Sequence, residues 1–289
     1  MVLLNEYLRS IYGCKVYKLA LSAHVTCPNR DGTCGTRGCI FCSEGGSGEF
    51  ASDADLPIRE QIVQAEKRIE NKTGRKARYI AYFQSYTNTY APVDYLRKIF
   101  MEAISNDDVV ILSLGTRPDC LGDDVMSLLS ELNRIKPVWV ELGLQTVNKI
   151  SAKYIRRGYE LPVYDEAVRW LKAAGIKVIV HVIIGLPGEN ISDMENTVRY
   201  VVSSGADGIK LQLLHILEGT DLADEYLMGR VNVMSMEEYI AAVKDLVKLI
   251  PDNVVIHRLT GDGDKRLLLA PMWSADKKRV LNALKRELG

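Results

Sequence analysis

Apolar positions along this chain change period in a regular alternation. From about residue 57 onward, short runs rich in Val, Ile and Leu are separated by stretches in which apolar residues recur every three or four positions. The runs, with one earlier near 16–25, predict strands near 78–83, 109–115, 137–144, 176–184 and 208–214. The stretches predict helices near 57–71, 93–105, 122–133, 163–174, 191–204 and 236–249. Within Lys177 to Ile184 only Lys177 and His181 are polar, which is how a strand covered on both faces reads, and hence a parallel sheet. Strand and helix in alternation build βαβ units, and six of them curl into an open, partial (β/α)6 barrel of TIM-like kind. Residues 215–235 read as irregular, and after about 250 a run Val254-Val255-Ile256 and a last basic helix from about 275 pad or close the barrel edge. No repeat or linker divides the chain, so residues 1–289 read as a single domain with a core of about 16–250 and an extension of about 251–289.

Composition narrows the class without changing that picture. A chain of 289 residues holds one barrel of about 200 to 250 residues with extensions. Thirty-seven basic residues balance thirty-seven acidic ones, so there is no global pull toward nucleic acid or an anionic membrane, and any such contact must be local. No apolar run approaches the roughly 18 residues of a membrane span, and the opening Met-Val-Leu-Leu-Asn-Glu lacks the basic start and apolar stretch of a secretory signal. The expectation is a cytoplasmic protein without membrane contact. Six cysteines are too few for a disulfide scaffold at this size, and in a reducing compartment their crowding points to metal or catalysis.

In barrels of this kind chemistry sits at the carboxyl ends of the strands, so a functional motif should directly follow one. The segment from Cys27 to Cys42 directly follows the first strand. Eleven residues separate Cys27 from Cys39 and two separate Cys39 from Cys42, and glycines at 32, 35 and 38 let the loop fold around a centre without Cβ clashes. Three thiolate ligands on a cluster would leave one iron open. With Cys34 as a fourth ligand the same spacing also suits structural zinc.

Cys-Pro-Asn-Arg-Asp-Gly from residue 27, with Phe41 just before the last cysteine, resembles the radical S-adenosylmethionine (SAM) superfamily, and more narrowly the bacterial YhcC/YtqA group related to the Elongator catalytic subunit. The resemblance runs from about residue 16 to 280. It implies a barrel of the radical SAM type and a [4Fe-4S] cluster on Cys27, Cys39 and Cys42. It further implies that SAM, bound to the open iron, is reductively cleaved to methionine and a 5′-deoxyadenosyl radical. A flavodoxin or ferredoxin is implied as electron donor, and kinship with the Elongator subunit suggests transfer RNA, at the wobble uridine, as substrate. The subunit's acetyltransferase domain is not matched.

The later strand ends carry the residues expected to meet SAM. After the second strand, Gln84 and Ser85 stand where many relatives have a glycine-glycine-glutamate that grips the SAM amino group. The third ends in Gly115-Thr116-Arg117-Pro118-Asp119-Cys120, similar to the Elongator-like branch; Arg117 can pair with a carboxylate through two parallel bonds, and Cys120 could donate hydrogen to a product radical. The fourth ends in Glu141 and Gln145, expected on ribose hydroxyls. Arg157 keeps the basic residue expected near the SAM carboxylate, although its neighbours Arg156 and Tyr159 depart from the family's Asn and His. Gly185 after the fifth strand, with Leu213 and Leu214 after the sixth, are expected to wall the adenine. The four histidines are given no role.

Rival readings remain. A four-cysteine electron carrier would not bind SAM, a zinc-stabilised RNA-binding module would hold zinc without sulfide, and a radical SAM enzyme could instead act on a peptide or small metabolite. The basic run from Lys67-Arg68 through Arg75-Lys76 to Arg78 falls on the amino-end face and reads as solvated surface. Lys277-Lys278-Arg279 with Lys285-Arg286 could approach phosphates, yet reads first as a solvated helix face.

Overall fold

The computed structural model describes residues 1–46, 48–72, 77–261 and 263–289, so Arg75 and Lys76 of the basic run lie outside the described residues. Six strands follow the expected order: β1 (Val16–Leu21), β2 (Arg78–Phe83), β3 (Val109–Thr116), β4 (Val138–Gln145), β5 (Lys177–Ile184) and β6 (Gly208–Leu213). A seventh in the same sheet, β8 (Val255–Arg258), pairs in parallel with β6, so the run expected to pad the edge extends the sheet. The sheet is parallel throughout, in the order β1-β2-β3-β4-β5-β6-β8.

Helices α2 (Ile58–Ile69), α3 (Val93–Ile104), α4 (Asp123–Ile135), α6 (Leu161–Ala173), α7 (Ile191–Ser203) and α9 (Met236–Val247) lie within two residues of the expected ranges. Their buried stripes meet the outward positions of the strands, such as Leu19, Leu21, Val178, Val180 and Val182. Because strand side chains alternate, the other positions point into the curl of the sheet. At its amino end Val16, Ile80, Ile111, Trp139 and Ile179 pack with Leu8.

Leu8 belongs to α1 (Leu4–Tyr12), which the sequence reading did not predict. Leu4, Tyr7 and Leu8 share one face by helical spacing and plug the bottom of the barrel. The helix starts where the Glu6 carboxylate accepts from the Leu3 amide at 3.3 Å and stops at Gly13, whose φ of 67° is open to glycine without strain. Burying Leu8 contributes about 2 kcal/mol. Among the described residues no helix is long and apolar enough to cross a membrane.

Three further departures have local causes. β1 stops at Leu21 rather than near 25 because the Gln61 amide caps it, accepting from Ser22 N at 2.8 Å and donating to Ser22 O at 3.1 Å. The stretch read as irregular holds β7 (Ile216–Leu217), antiparallel to β9 (Leu268–Ala270), and α8 (Asp221–Leu227), whose first turn is capped by the Thr220 hydroxyl. The short α5 (Lys149–Tyr154), capped by the Asn148 side chain, follows β4, and α10 (Lys277–Leu288) is the expected last helix.

Candidate active site

Cys27, Cys39 and Cys42 line one cavity at the carboxyl end of the sheet, together with Gln84, Gly115, Gly143, Gln145 and Gln212 from the strand ends. The loop carrying the thiols is shaped by its own backbone: Arg30 N donates to Cys27 O at 2.8 Å, Gly38 N to Asn29 O at 2.7 Å and Cys42 N to Cys39 O at 2.9 Å. Asn29 ties that loop to the segment after α5, its amide nitrogen lying 2.7 Å from Arg156 O and 3.4 Å from Cys39 Sγ. Arg30 closes the turn by donating to the carbonyls of Cys42 and Ser43, with its guanidinium over the Tyr86 ring. A Cβ on Gly158 would sit 2.6 Å from Asn29 Oδ1, so the approach that holds Asn29 requires glycine there, and φ of +82° requires it again.

Burial, reinforced by Cys42, pushes the Cys39 thiol up to about 12. A buried thiol of that kind becomes a ligand when a cation displaces its proton. Among the described residues, no three side chains of His, Cys, Asp or Glu gather closely enough to hold a single metal ion. A tetrahedral zinc with bonds of about 2.3 Å draws its thiolates to about 4 Å from one another, whereas a polynuclear cluster spreads them over separate irons. Cys34 faces a different pocket, so the fourth ligand that zinc would want is not at the cavity. Three thiols around one cavity and the small Gly115 and Gly143 on the facing strand ends fit a cluster with an adjoining ligand.

Of the polar residues expected to meet that ligand, Gln84, Arg117, Glu141, Gln145 and Arg157 do line the cavity. Gln145 ends β4 at φ 64°, after a register shift between Gly143 and Gln145. A left-handed glutamine costs about 1 kcal/mol, and such strain collects at functional positions. Arg117 makes its two parallel bonds, but to Asp119 of its own chain at 2.9 and 2.7 Å, and gives a third to Arg157 O. Arg157 is buried and donates to Thr146 O at 2.8 Å and Tyr159 O at 3.1 Å. Both guanidiniums therefore brace the loops around Tyr159, whose hydroxyl donates to Gly143 O.

Glu141 forms the centre of a charged layer one level below. Its Oε1 accepts from Lys18 Nζ at 2.9 Å and Ser113 Oγ at 2.9 Å; its Oε2 accepts from Lys210 Nζ and lies 2.8 Å from His181 Nε2. All four acceptor positions are thus taken inside the chain, which leaves none for the expected ribose contact. Burial alone would raise this carboxyl, yet Lys18, Lys210 and His181 together hold it well below the ordinary range. His181 Nδ1 lies 3.2 Å from Gln212 Nε2, and Gln212 Oε1 accepts from Arg258. A donor on Nδ1 and a carboxylate on Nε2 place the imidazole proton on Nε2. Burial, with Lys210 nearby, pulls His181 down to about 4.

Other expected contacts are elsewhere. Ser85 is buried against Gly48, where a Cβ would overlap its hydroxyl. Leu213 points outward into the layer between sheet and helices, because Lys210 and Gln212 take the inward parity of β6. Leu214 packs in a separate cluster with Ile40 and Ile216, and Gly185 lines a pocket with Met234. The adenine wall expected of these three is not part of the cavity lining. Cys120 shares a pocket with Cys34 and Tyr90 rather than with the three cysteines, and burial with Asp119 pushes its thiol up to about 12. Lys18, Lys210, Gln212 and Asn29 were not predicted; a charge at inward parity within an apolar strand is the signal that would have found Lys18 and Lys210.

Comparison with known proteins bears on this arrangement. The model of the Radical SAM superfamily matches residues 31–201, and that of the Radical_SAM C-terminal domain matches residues 206–289. YtqA of Bacillus subtilis (strain 168) is 44% identical over 285 residues, covering 99% of this chain and 88% of its own. The tRNA uridine(34) acetyltransferase of Methanocaldococcus jannaschii is 26% identical over 156 residues, 53% of this chain and 28% of its own. Among solved structures, archaeal Methanocaldococcus infernus Elp3 with an N-terminal deletion superposes with a TM-score of 0.69 at 16% identity, over 91% of this chain and 63% of the other.

Proposed function

This chain belongs to the radical SAM superfamily, and we propose that Cys27, Cys39 and Cys42 hold its [4Fe-4S] cluster so that SAM cleavage serves to modify a uridine of transfer RNA. The observation that carries the ligand assignment is the convergence of those three thiols on one cavity at the carboxyl ends of the strands. A cluster held by Cys27, Cys39 and Cys42 would supply the electron that breaks the sulfonium bond of SAM into methionine and a 5′-deoxyadenosyl radical, which would take a hydrogen atom from the substrate.

The chain's own residues position and exclude. Asn29 and Arg30 fix the loop that presents the thiols, while Gly115 and Gly143 keep the facing strand ends low enough for a nucleoside to approach backbone. Gln84 and Gln145 offer amides to SAM. Arg117 and Arg157 act by bracing Tyr159 and the loop around it, and Glu141 orients His181 and, through it, Gln212 at the floor. The uridine substrate is supported by the likeness to a tRNA uridine(34) acetyltransferase over half of this chain. The electron donor is a flavodoxin or ferredoxin of the cytoplasm.

Anaerobic reconstitution with iron and sulfide, then dithionite and SAM, tests the assignment. The expected result is about four irons per chain and release of 5′-deoxyadenosine, both lost in C27A, C39A and C42A and both kept in C34A. Full iron content and 5′-deoxyadenosine in any of the first three variants would overturn the ligand set. Filter retention of labelled transfer RNA that persists at moderate salt supports the substrate, and absence of retention even at low salt discards it.

A further inference from the structure

Beside the cavity runs a second, larger hollow of 660 Å³ that the proposed chemistry does not use. Gly38, Arg157 and Tyr159 line both spaces, so the two are separated by a single wall of residues. Five cationic residues line the larger one: Arg37 from the cysteine loop, Lys149 and Lys153 from α5, and Arg156 and the buried Arg157 just after it; Glu160 is the acid among its lining. On a chain whose formal charges sum to zero, that is a local excess of positive charge.

The cations are arranged in two ways. Arg37 and Arg156 both pair with Asp221 at the start of α8, which holds them in place and leaves one positive charge uncompensated. Arg156 is itself kept at φ 57° while Asn29 grips its carbonyl, so its position is tied to the cysteine loop. Lys149 and Lys153 stand one helical turn apart on an exposed face, with no ion-pair partner among the described residues. Between them Ile150 is 83% exposed, more than any other large apolar side chain described.

We infer that this groove takes the phosphodiester backbone of a nucleic acid, with Lys149, Lys153, Arg37 and Arg156 on successive phosphates and Ile150 against a sugar or base. Spaced cations lining a concave groove match the repeating charge of a flexible polyanion. Strand bound here runs past the wall of the cavity, which is where a nucleotide turned out of the strand enters it. The inference rests on the nucleic-acid reading of the same site and adds where the chain grips its substrate.

The test uses anaerobically reconstituted holoprotein and two probes, unfractionated tRNA and a labelled 20-nucleotide single-stranded RNA, titrated across a salt series. In K149Q/K153Q, affinity should fall about tenfold or more at 0.1 M salt, and the slope of log affinity against log salt should shrink by about 1.5, since each lost phosphate contact removes about 0.7 to 0.9. K278Q/R279Q on α10 should bind as the unsubstituted protein does. Unchanged affinity and slope in K149Q/K153Q, while the parent binds tRNA, overturns the groove and leaves the tRNA reading standing. If the parent ignores tRNA but binds the single strand in a way K149Q/K153Q loses, the groove stands and the tRNA reading falls. Binding of neither probe by the parent overturns both. Slower cluster reduction by flavodoxin in K149Q/K153Q, with RNA binding intact, would reassign the groove to protein docking.

Discussion

His181 Nε2 of β5 lies 2.8 Å from Glu141 Oε2 of the neighbouring β4, inside the curl of the parallel sheet. That pair joins the floor of the cavity to a layer of cations, because the same carboxylate also holds Lys18 and Lys210. A buried charge keeps its place only while its partners remain, and breaking such a set costs more than making it contributes.

Glu141→Gln should therefore destabilise the protein by about 3 to 5 kcal/mol, because it leaves Lys18 and Lys210 uncompensated. Adding K210M should recover a part of the loss. Chemical denaturation of the single and double variants measures both, and a cost below about 1 kcal/mol for E141Q would show that the layer is not held by this charge.

Stability should also fall in mild acid. Below pH 6.5 an unfolded His181 takes up a proton that the folded one refuses until about pH 4, so the unfolded state binds more protons across that window. The loss builds as pH falls from about 6.5 to 4 and reaches about 3 kcal/mol for this residue. His181→Gln should flatten the profile between those limits in denaturation curves at pH 4.5, 5.5 and 6.5. An unchanged slope would mean that His181 does not titrate as its surroundings dictate; those surroundings are Glu141, Lys210, Gln212 and Arg258.

Gly158→Ala should disturb the cysteine loop from a distance. Its Cβ would meet Asn29 Oδ1 at 2.6 Å on a backbone with φ +82°, a combination that costs about 2 kcal/mol and pushes Asn29 off the Arg156 carbonyl. Iron bound per chain after reconstitution should drop, and the visible absorbance of the cluster with it. Full iron content would show that Asn29 is not needed to shape the loop.

Gln145→Gly removes a side chain and a strain together. The left-handed backbone at φ 64° becomes unstrained, so stability should stay within about 1 kcal/mol of the parent. SAM binding by equilibrium dialysis should weaken about tenfold. Equal affinity would take Gln145 off the SAM-binding surface.

The six strands and seven of the helices, α10 included, were legible because their apolar period is carried by many residues at once, as in Val178, Val180 and Val182 on one face of β5. The crowding of cysteines after the first strand was legible from spacing, whereas the choice of Cys27, Cys39 and Cys42 over a set with Cys34 came from the resemblance to a family. What escaped were features decided by parity or by a single side chain. Leu213 reads as a plausible wall until the alternation from Lys210 and Gln212 is counted, which turns it away from the cavity. Arg117 reads as a carboxylate clamp, and its carboxylate is two residues further along the chain, at Asp119. Short elements such as α1 and α8 are too brief for periodicity to show, and each owes its existence to packing and a cap rather than to pattern.

The plug formed by α1 has a consequence for traffic. Leu8 packed with Trp139 and Ile179 fills the amino end of the barrel among the described residues, so the cavity's mouth is at the carboxyl end. Methionine and the spent nucleoside would depart through the same opening that admits the next substrate. A macromolecule bound at that mouth, as proposed above, would hold smaller guests inside until it lets go, and what binds last would leave first.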